Sequence, residues 1–439
     1  MRMISAQWTR SALLDIIWLF VMLFGLLVFG VPVAVSLAGA SAVFIFANGS
    51  PPTMVVAHRM INGVDSFPLL AVPFFILAGN LMNTAGITER IFNFALAMVG
   101  WMRGGLGHVN VGASVIFAGM SGAAVADAGG LGAIEIKAMR DAGYDPKFAV
   151  GITAASSTIG PIIPPSLPMV IYGVVAGTSI GQLFVAGFIP GLLMAVALMI
   201  MIAIMARTRG FGRDQAFYWP ILFSTFRRAF LSLLTPVIIV GGILSGAFTP
   251  TEAAVAACAW ALFLGIVVYR TLTIRRFLRV SFDTIETTAV VLLVVGAAAI
   301  FAWILTSNRV PEQFAAGLLA VSDKPWVILI VMNLILLAVG CFMETVAAIT
   351  ILVPVMLPIA VTLGIDPVHF GVIMVLNLML GLLTPPVGMV LYVLARVAKI
   401  PFEQCVVGTA PFLIPLVVVL LLVTFIPGIT MWLPTLIYR

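Results

Sequence analysis

Ala154-Ala155-Ser156-Ser157-Thr158-Ile159-Gly160-Pro161-Ile162-Ile163-Pro164-Pro165-Ser166 lies inside a long apolar run of the kind that sits at membrane depth. Pro161, Pro164 and Pro165 cannot continue a helix, because each lacks an N–H and its ring clashes with the preceding turn. The stretch therefore predicts a backbone that unwinds inside a bilayer. Unwound backbone is tolerated there only where it is buried in protein or lines a wet cavity. A second break stands later in the chain, Gly381-Leu382-Leu383-Thr384-Pro385-Pro386-Val387-Gly388. Two broken helices in matching positions of two halves point to the binding site of a secondary transporter.

Composition agrees. Of 439 residues, 62% are hydrophobic and 9% charged, and the mean hydropathy is +1.22. Soluble domains carry about 25% charge. The expected fold is an all-α polytopic membrane protein with no sizeable water-soluble domain. The net charge of +6 is concentrated in short connections at 207–213, 227–228 and 270–279. That is the positive-inside pattern, not the contiguous basic face that nucleic acid would need. Cys258, Cys341 and Cys405 lie far apart in apolar segments and suggest neither a disulfide framework nor a metal cluster. Residues 1–10 lead into an apolar run without a small-residue cleavage site, so they begin a first span, not a signal peptide.

In chain order, spans are expected at 13–29, 33–47 and 67–82. An interfacial amphipathic helix is expected at 53–65 and a short one at 88–101. Residues 104–127 are apolar but interrupted at Met120-Ser121-Gly122, and read as a re-entrant helical hairpin with Ser121-Gly122 at its tip. Glu135, Lys137, Arg140, Asp141 and Lys147 mark a return to an aqueous face. The first broken helix covers about 148–176, and a full span follows at 182–206. The polar connection at 207–219 divides the chain into repeats 1–220 and 221–439. In the second repeat, spans are expected at 222–244, 251–269, 284–306 and 406–425. Between them come a basic interfacial stretch at 271–280, an amphipathic segment at 309–322, a hairpin at about 326–362 and a broken helix at about 368–397.

Spacing supports the repeat. Ser121 precedes Pro164 by 43 residues and Glu344 precedes Pro386 by 42, so an offset of roughly 222 superposes the halves. Basic connections on both sides of the spans at 222–269 place them in the cytoplasm. The two hairpins then enter from opposite sides, which is an inverted-topology repeat. This count puts the N-terminus outside, against Arg2 and Arg10.

A broken helix exposes carbonyls at the end of its first piece and N–H groups at the start of its second. The carbonyl end suits a hard cation such as Na⁺, and the amide end suits a carboxylate. Ser156, Ser157, Thr158 and Thr384 add hydroxyl oxygens at the breaks. Lone hydroxyls such as Ser36 and Ser41 are better explained by bonds back to their own helix. Glu344 and Asp127 are expensive in a membrane; each is either a coupling or substrate-near group or a helix cap at a wet mouth. Asn333 and Asn377 read as cross-helix hydrogen bonders. His108 and His369 read as interfacial, with no proton relay. Arg309 could draw an anion from outside or simply be solvated. No G-x-x-x-x-G-K-[ST] loop and no nucleophile elbow occurs, so neither nucleotide hydrolysis nor hydrolase chemistry is expected.

The run from Gly151 to Ser166, followed by Ala186-Gly187-Phe188-Ile189-Pro190-Gly191, resembles the large membrane subunit of tripartite ATP-independent periplasmic (TRAP) transporters. Phe117-Ala118-Gly119-Met120-Ser121-Gly122, Leu305-Thr306-Ser307-Asn308 and Leu383-Thr384-Pro385-Pro386-Val387-Gly388 fit the same pattern, and the resemblance covers nearly the whole chain. It implies Na⁺-driven uptake of a small organic acid, such as a C4-dicarboxylate or sialic acid, across the bacterial inner membrane. It also implies a periplasmic substrate-binding protein, a small four-span membrane subunit and an elevator movement. By that resemblance one Na⁺ site forms around Ser121, Ser156, Gly160 and Pro161, and a second around Thr345, Gly381 and Thr384. The carboxylate substrate falls near Ser157, Thr158, Pro164, Pro165, Glu344, Pro385 and Pro386. The small subunit is expected as a separate polypeptide. Two other readings compete: a stand-alone divalent-anion/Na⁺ symporter of related architecture, and a channel or scaffold that transports nothing. The tips Ser121-Gly122-Ala123 and Glu344-Thr345-Val346 lack the Ser-Asn-Thr that such symporters resemble one another in carrying.

Overall fold

The computed structural model describes residues 2–48, 52, 54–321 and 324–438, with side chains described outside 2–14, 119–121 and 318–321. In chain order the helices are α1 (Arg2–Val28), α2 (Val33–Asn48), α3 (Met54–Val64), α4 (Ala71–Thr84), α5 (Ile87–Val99), α6 (Gly105–Ser121) and α7 (Ala124–Gly129). They continue with α8 (Leu131–Asp141), α9 (Pro146–Ser157), α10 (Leu167–Ala176), α11 (Ile180–Thr208), α12 (Trp219–Leu244), α13 (Pro250–Phe263) and α14 (Ile274–Ser307). The last are α15 (Val310–Val321), α16 (Pro325–Phe342), α17 (Thr345–Thr362), α18 (Pro367–Gly381), α19 (Met389–Ala398), α20 (Phe402–Phe425) and α21 (Gly428–Ile437). Among the described residues, eight helical stretches are long and apolar enough to cross a membrane. Helix is the expected solution, since only internally bonded backbone can span hydrocarbon.

Local chemistry fixes many of the ends. Asp145 caps α9 by accepting the Lys147 N–H at 3.0 Å, with Pro146 in the first turn. Asp366 does the same for α18 through Val368 at 2.7 Å, ahead of Pro367. Thr249 and Glu252 form a capping box on α13. Packing then sorts the helices. α2, α3, α4 and α17 all lie on α14, α13 packs on α4, and α5 packs between α6 and α12. α9 runs along α20, and α16 along α18.

Three differences from expectation are informative. The basic stretch at 271–280 and the span at 284–306 are one helix, α14. It contains no proline and a single glycine, Gly296, so nothing interrupts it. Arg275, Arg276, Arg279, Asp283 and Glu286 are simply exposed along its first turns. The hairpin expected to end near residue 127 has a longer second limb. After a bend at Gly130, α8 carries the chain to Asp141, and Glu135 on it is buried, not aqueous. α21 adds a final apolar helix packed on α11.

The polar connection after α11 is strapped to the base of α6. Gly104 N–H donates to Gly212 O at 2.9 Å and Gln215 N–H to Gly100 O at 3.2 Å, around an antiparallel bridge between Arg103 and Arg213. Asp214 Oδ2 accepts the Leu106 N–H at 2.8 Å and the Tyr144 hydroxyl at 2.6 Å. Burial, reinforced by Asp214, pushes the Tyr144 phenol above its ordinary range, so it stays a donor.

Candidate functional site

The first broken helix stops at Ser157 and restarts at Leu167. Its hydroxyls are committed locally. Ser157 Oγ donates to Ala154 O at 2.8 Å, and Thr158 Oγ1 to Ala155 O at 2.6 Å. Ser156 Oγ reaches across to α6 and donates to Asn110 Oδ1 at 2.5 Å, while Asn110 Nδ2 donates to Thr153 Oγ1 at 2.7 Å. Ser166 is the N-cap of α10: it accepts the Met169 N–H at 3.2 Å and donates to Pro161 O. Residues 158–166, including Gly160, Pro161, Pro164 and Pro165, are all buried.

The tip of the first hairpin plugs this break. Gly122 takes φ 61, which glycine adopts without strain. Its carbonyl accepts the Leu167 N–H at 3.3 Å, and a side chain there would meet Pro165 O at 2.8 Å. Ser121 ends α6 beside it; its side chain lies outside the described residues.

The second break is built alike. α18 stops at Gly381 and α19 restarts after Gly388, which takes φ 56. Cys341 O, at the tip of the second hairpin, accepts N–H groups from Val387 at 3.3 Å and Gly388 at 3.4 Å. Thr384 Oγ1 donates to Leu380 O at 2.8 Å. Gly340 and Gly381 touch backbone to backbone, so neither position admits a side chain without displacement. Glu344 is the N-cap of α17, accepting Val346 N–H at 2.9 Å and Ala347 N–H at 3.2 Å, and Thr345 is buried behind it. Pro164-Pro165 and Pro385-Pro386 are both cis. Unlike the first pair, Pro385 and Pro386 are exposed.

Each restarted helix lies against the other hairpin: α10 packs along α17, and α19 along α7 and α8. The structure thus brings Gly122, Pro165 and Leu167 together, and separately Cys341, Val387 and Gly388. No hydrogen bond among the described residues links one break to the other. Sequence reasoning missed Asn110. A signal was available: Asn110 and Asn333 occupy matching places, and their partners Ser156 and Asn377 do too. Asn377 Nδ2 donates to Asn333 Oδ1 at 2.6 Å. Chemically, the breaks offer carbonyl and hydroxyl oxygens and two helix starts, α10 capped by Ser166 and α19 without a side-chain cap. Among the described residues no group of three His, Cys, Asp or Glu could hold a metal ion.

The family profile "Tripartite ATP-independent periplasmic transporter, DctM component" matches residues 20–429. The chain is 53% identical to the sialic acid TRAP transporter large permease protein SiaM of Vibrio cholerae, over 94% of this chain and 96% of that one. It is 45% identical to the sialic acid TRAP transporter permease protein SiaT of Haemophilus influenzae, over 96% of this chain and 68% of that one. It is 39% identical to the C4-dicarboxylate TRAP transporter large permease protein DctM of Pseudomonas aeruginosa, over 91% and 93%. In fold it is similar to the YdaH transporter of Alcanivorax borkumensis, with a TM-score of 0.63 at 14% identity, covering 87% of this chain and 90% of that one. Family and hydropathy agree on a multi-pass inner-membrane protein that is a transporter component and not an enzyme. The chain belongs to the DctM component family of tripartite ATP-independent periplasmic transporters, as a large permease subunit.

Proposed function

We propose that this chain carries a small organic acid across the bacterial inner membrane by Na⁺ symport. A sialic acid is favoured over a C4-dicarboxylate. It would act with a small four-span membrane subunit and a periplasmic substrate-binding protein. The observation that carries the reading is the plugging of each break by a hairpin tip, through Gly122 to Leu167 and through Cys341 to Val387 and Gly388. Tip and break are then one unit, which fits two inverted repeats moving together as an elevator. Carbonyl-rich ends with Ser121, Ser156, Gly160 and Pro161, and with Thr345, Gly381 and Thr384, suit Na⁺. The helix starts that follow Pro164-Pro165 and Pro385-Pro386, with Ser157, Thr158 and Glu344 adjoining, are the amide ends that suit a carboxylate, and the start of α19 has no side-chain cap. The sialic acid preference rests on relatives at 53% and 45% identity that carry sialic acid in their names, against 39% for a dicarboxylate one.

The test is uptake by the three-protein system in proteoliposomes, comparing sialic acid with succinate and Na⁺ with K⁺. Uptake of sialic acid that stops in K⁺ is expected; uptake unchanged by the swap removes Na⁺ coupling. Ser156→Ala and Thr384→Ala should each raise the half-saturating Na⁺ concentration about tenfold, equivalent to about 1.4 kcal/mol of binding. Wild-type Na⁺ dependence in both variants takes those side chains out of the sites.

A further inference from the structure

Arg103 and Arg213 face each other across the bridge that straps the connection after α11 to the base of α6. The bond from Gly104 N–H to Gly212 O flanks the pair. In an antiparallel ladder that arrangement sets opposite Cα atoms about 4.5 Å apart, with both side chains on one face. Like charges so placed repel. Both residues are exposed, and among the described residues neither guanidinium has a hydrogen-bond or ion-pair partner. Asp214, next in the chain, spends its Oδ2 on the Leu106 N–H and the Tyr144 hydroxyl. Arg209 turns to the Phe148 ring, 6.0 Å away. Backbone bonds and Asp214 hold the strap, and the arginine pair adds repulsion to it without a compensating contact.

The surroundings point to what neutralises the pair. Trp101 meets Phe217 edge-on at 6.1 Å, and Phe217 meets Trp219 edge-on at 5.1 Å. All three rings are exposed, Trp219 by 72%. The first half of α12 continues this surface, with Phe223 and Phe226 exposed beside exposed Arg227 and Arg228. Exposed rings interleaved with arginines are the chemistry of a membrane–water interface, rings among the acyl-chain ends and cations at the phosphates. The connection also carries Arg207 and Arg209, the basic excess that marks the cytoplasmic side. The leaflet on that side holds anionic phospholipid.

We propose that Arg103 and Arg213 jointly bind the phosphate of an anionic phospholipid of the cytoplasmic leaflet, with its acyl chains along the exposed rings of Trp219 and Phe223. Two guanidinium forks match the oxygens of one phosphate. Bound lipid removes the repulsion and staples the strap to the base of the first hairpin. Without it, the two arginines push the strap away from α6. The lipid thereby sets how firmly the connection between α11 and α12 holds the first hairpin, and the site stands apart from the ion and substrate sites at the breaks.

The test uses the purified full-length chain in detergent, titrated with phosphatidylglycerol, phosphatidylcholine or inorganic phosphate, and reads the thermal unfolding midpoint. A ligand of the folded state raises that midpoint. Phosphatidylglycerol should raise it saturably, and the other two should not. Arg103→Gln and Arg213→Gln should each raise the half-saturating lipid concentration at least about tenfold. Arg275→Gln removes an exposed charge from α14 and should leave the titration unchanged. Phosphatidylglycerol brominated on its acyl chains should quench tryptophan fluorescence, and Trp219→Phe should lose part of that quenching; this second readout serves if an arginine variant does not fold. Equal shifts from phosphatidylcholine, a shift from inorganic phosphate, or wild-type titrations in both arginine variants overturn the proposal. An equal loss in Arg275→Gln reduces the effect to net charge and overturns it too. So does loss of the response when the small membrane subunit is added at saturating lipid, which gives this face to that protein.

Discussion

Ser156 donates its hydroxyl proton to Asn110, which holds α9 against α6 from inside the core. Both residues are 0% exposed, so neither can turn to water. Ser156→Ala leaves Asn110 Oδ1 without that donor and should cost about 1–3 kcal/mol, read as a lower unfolding midpoint. Asn110→Ala should cost a similar amount, and the double variant should cost clearly less than the sum, because the same bond is lost. Additive costs would show that the two side chains do not interact. Gly381→Ala should destabilise by about 1–3 kcal/mol, since the added carbon meets the Gly340 backbone. Gly25→Ala is the control: nothing lies within 4 Å, and the helix should gain about 0.5–1 kcal/mol. Equal effects at the two glycines would refute the close contact between α16 and α18.

At the scale of elements, proline chemistry made the breaks readable. A run with Pro161, Pro164 and Pro165 has to leave the helix, and α9 ends a few residues before them. The second limb of the first hairpin was not readable for the opposite reason. Glu135 shares a face with Leu131, Ile136 and Met139, and it is buried with them. A carboxylate there breaks the pattern from which buried faces are recognised, so the segment resembles an aqueous return. Asn110 was hidden in the same way, one amide beside His108 and Ser114 in a helix of mostly small and apolar residues. Glu344 was left between two roles, and the structure places its carboxylate on the first N–H groups of α17. Glu344→Ala should therefore cost about 0.5–2 kcal/mol of stability. Glu344→Gln keeps an acceptor and should cost less. If Glu344→Gln nonetheless abolishes uptake at normal stability, its charge serves the substrate as well as the helix. If it transports like wild type, capping is its whole role.

At the scale of the molecule, a cavity of about 380 Å³ is lined by α3 and α14 on one side and by α10 and α17 on the other, beside the direct packing of α17 on α14. Asn62, Ala298 and Ala302 line one wall, and Val175, Thr350 and Pro354 line the other. α10 and α17 are the elements that begin at the break and at the hairpin tip. α14 is the helix on which α2, α3 and α4 gather. An elevator would slide the first group past the second, and this cavity is where the surfaces part. Filling it should stop the motion without touching the tips. Ala302→Cys labelled with a bulky methanethiosulfonate, which attaches as a mixed disulfide, should therefore lose uptake, and reduction of that disulfide should restore transport. Cys258, Cys341 and Cys405 are buried, so the same reagent on the parent protein should leave uptake unchanged. Full uptake by the labelled variant would mean that these walls do not move relative to each other. The tips would then have to open by themselves, with α14 and α17 staying together throughout the cycle.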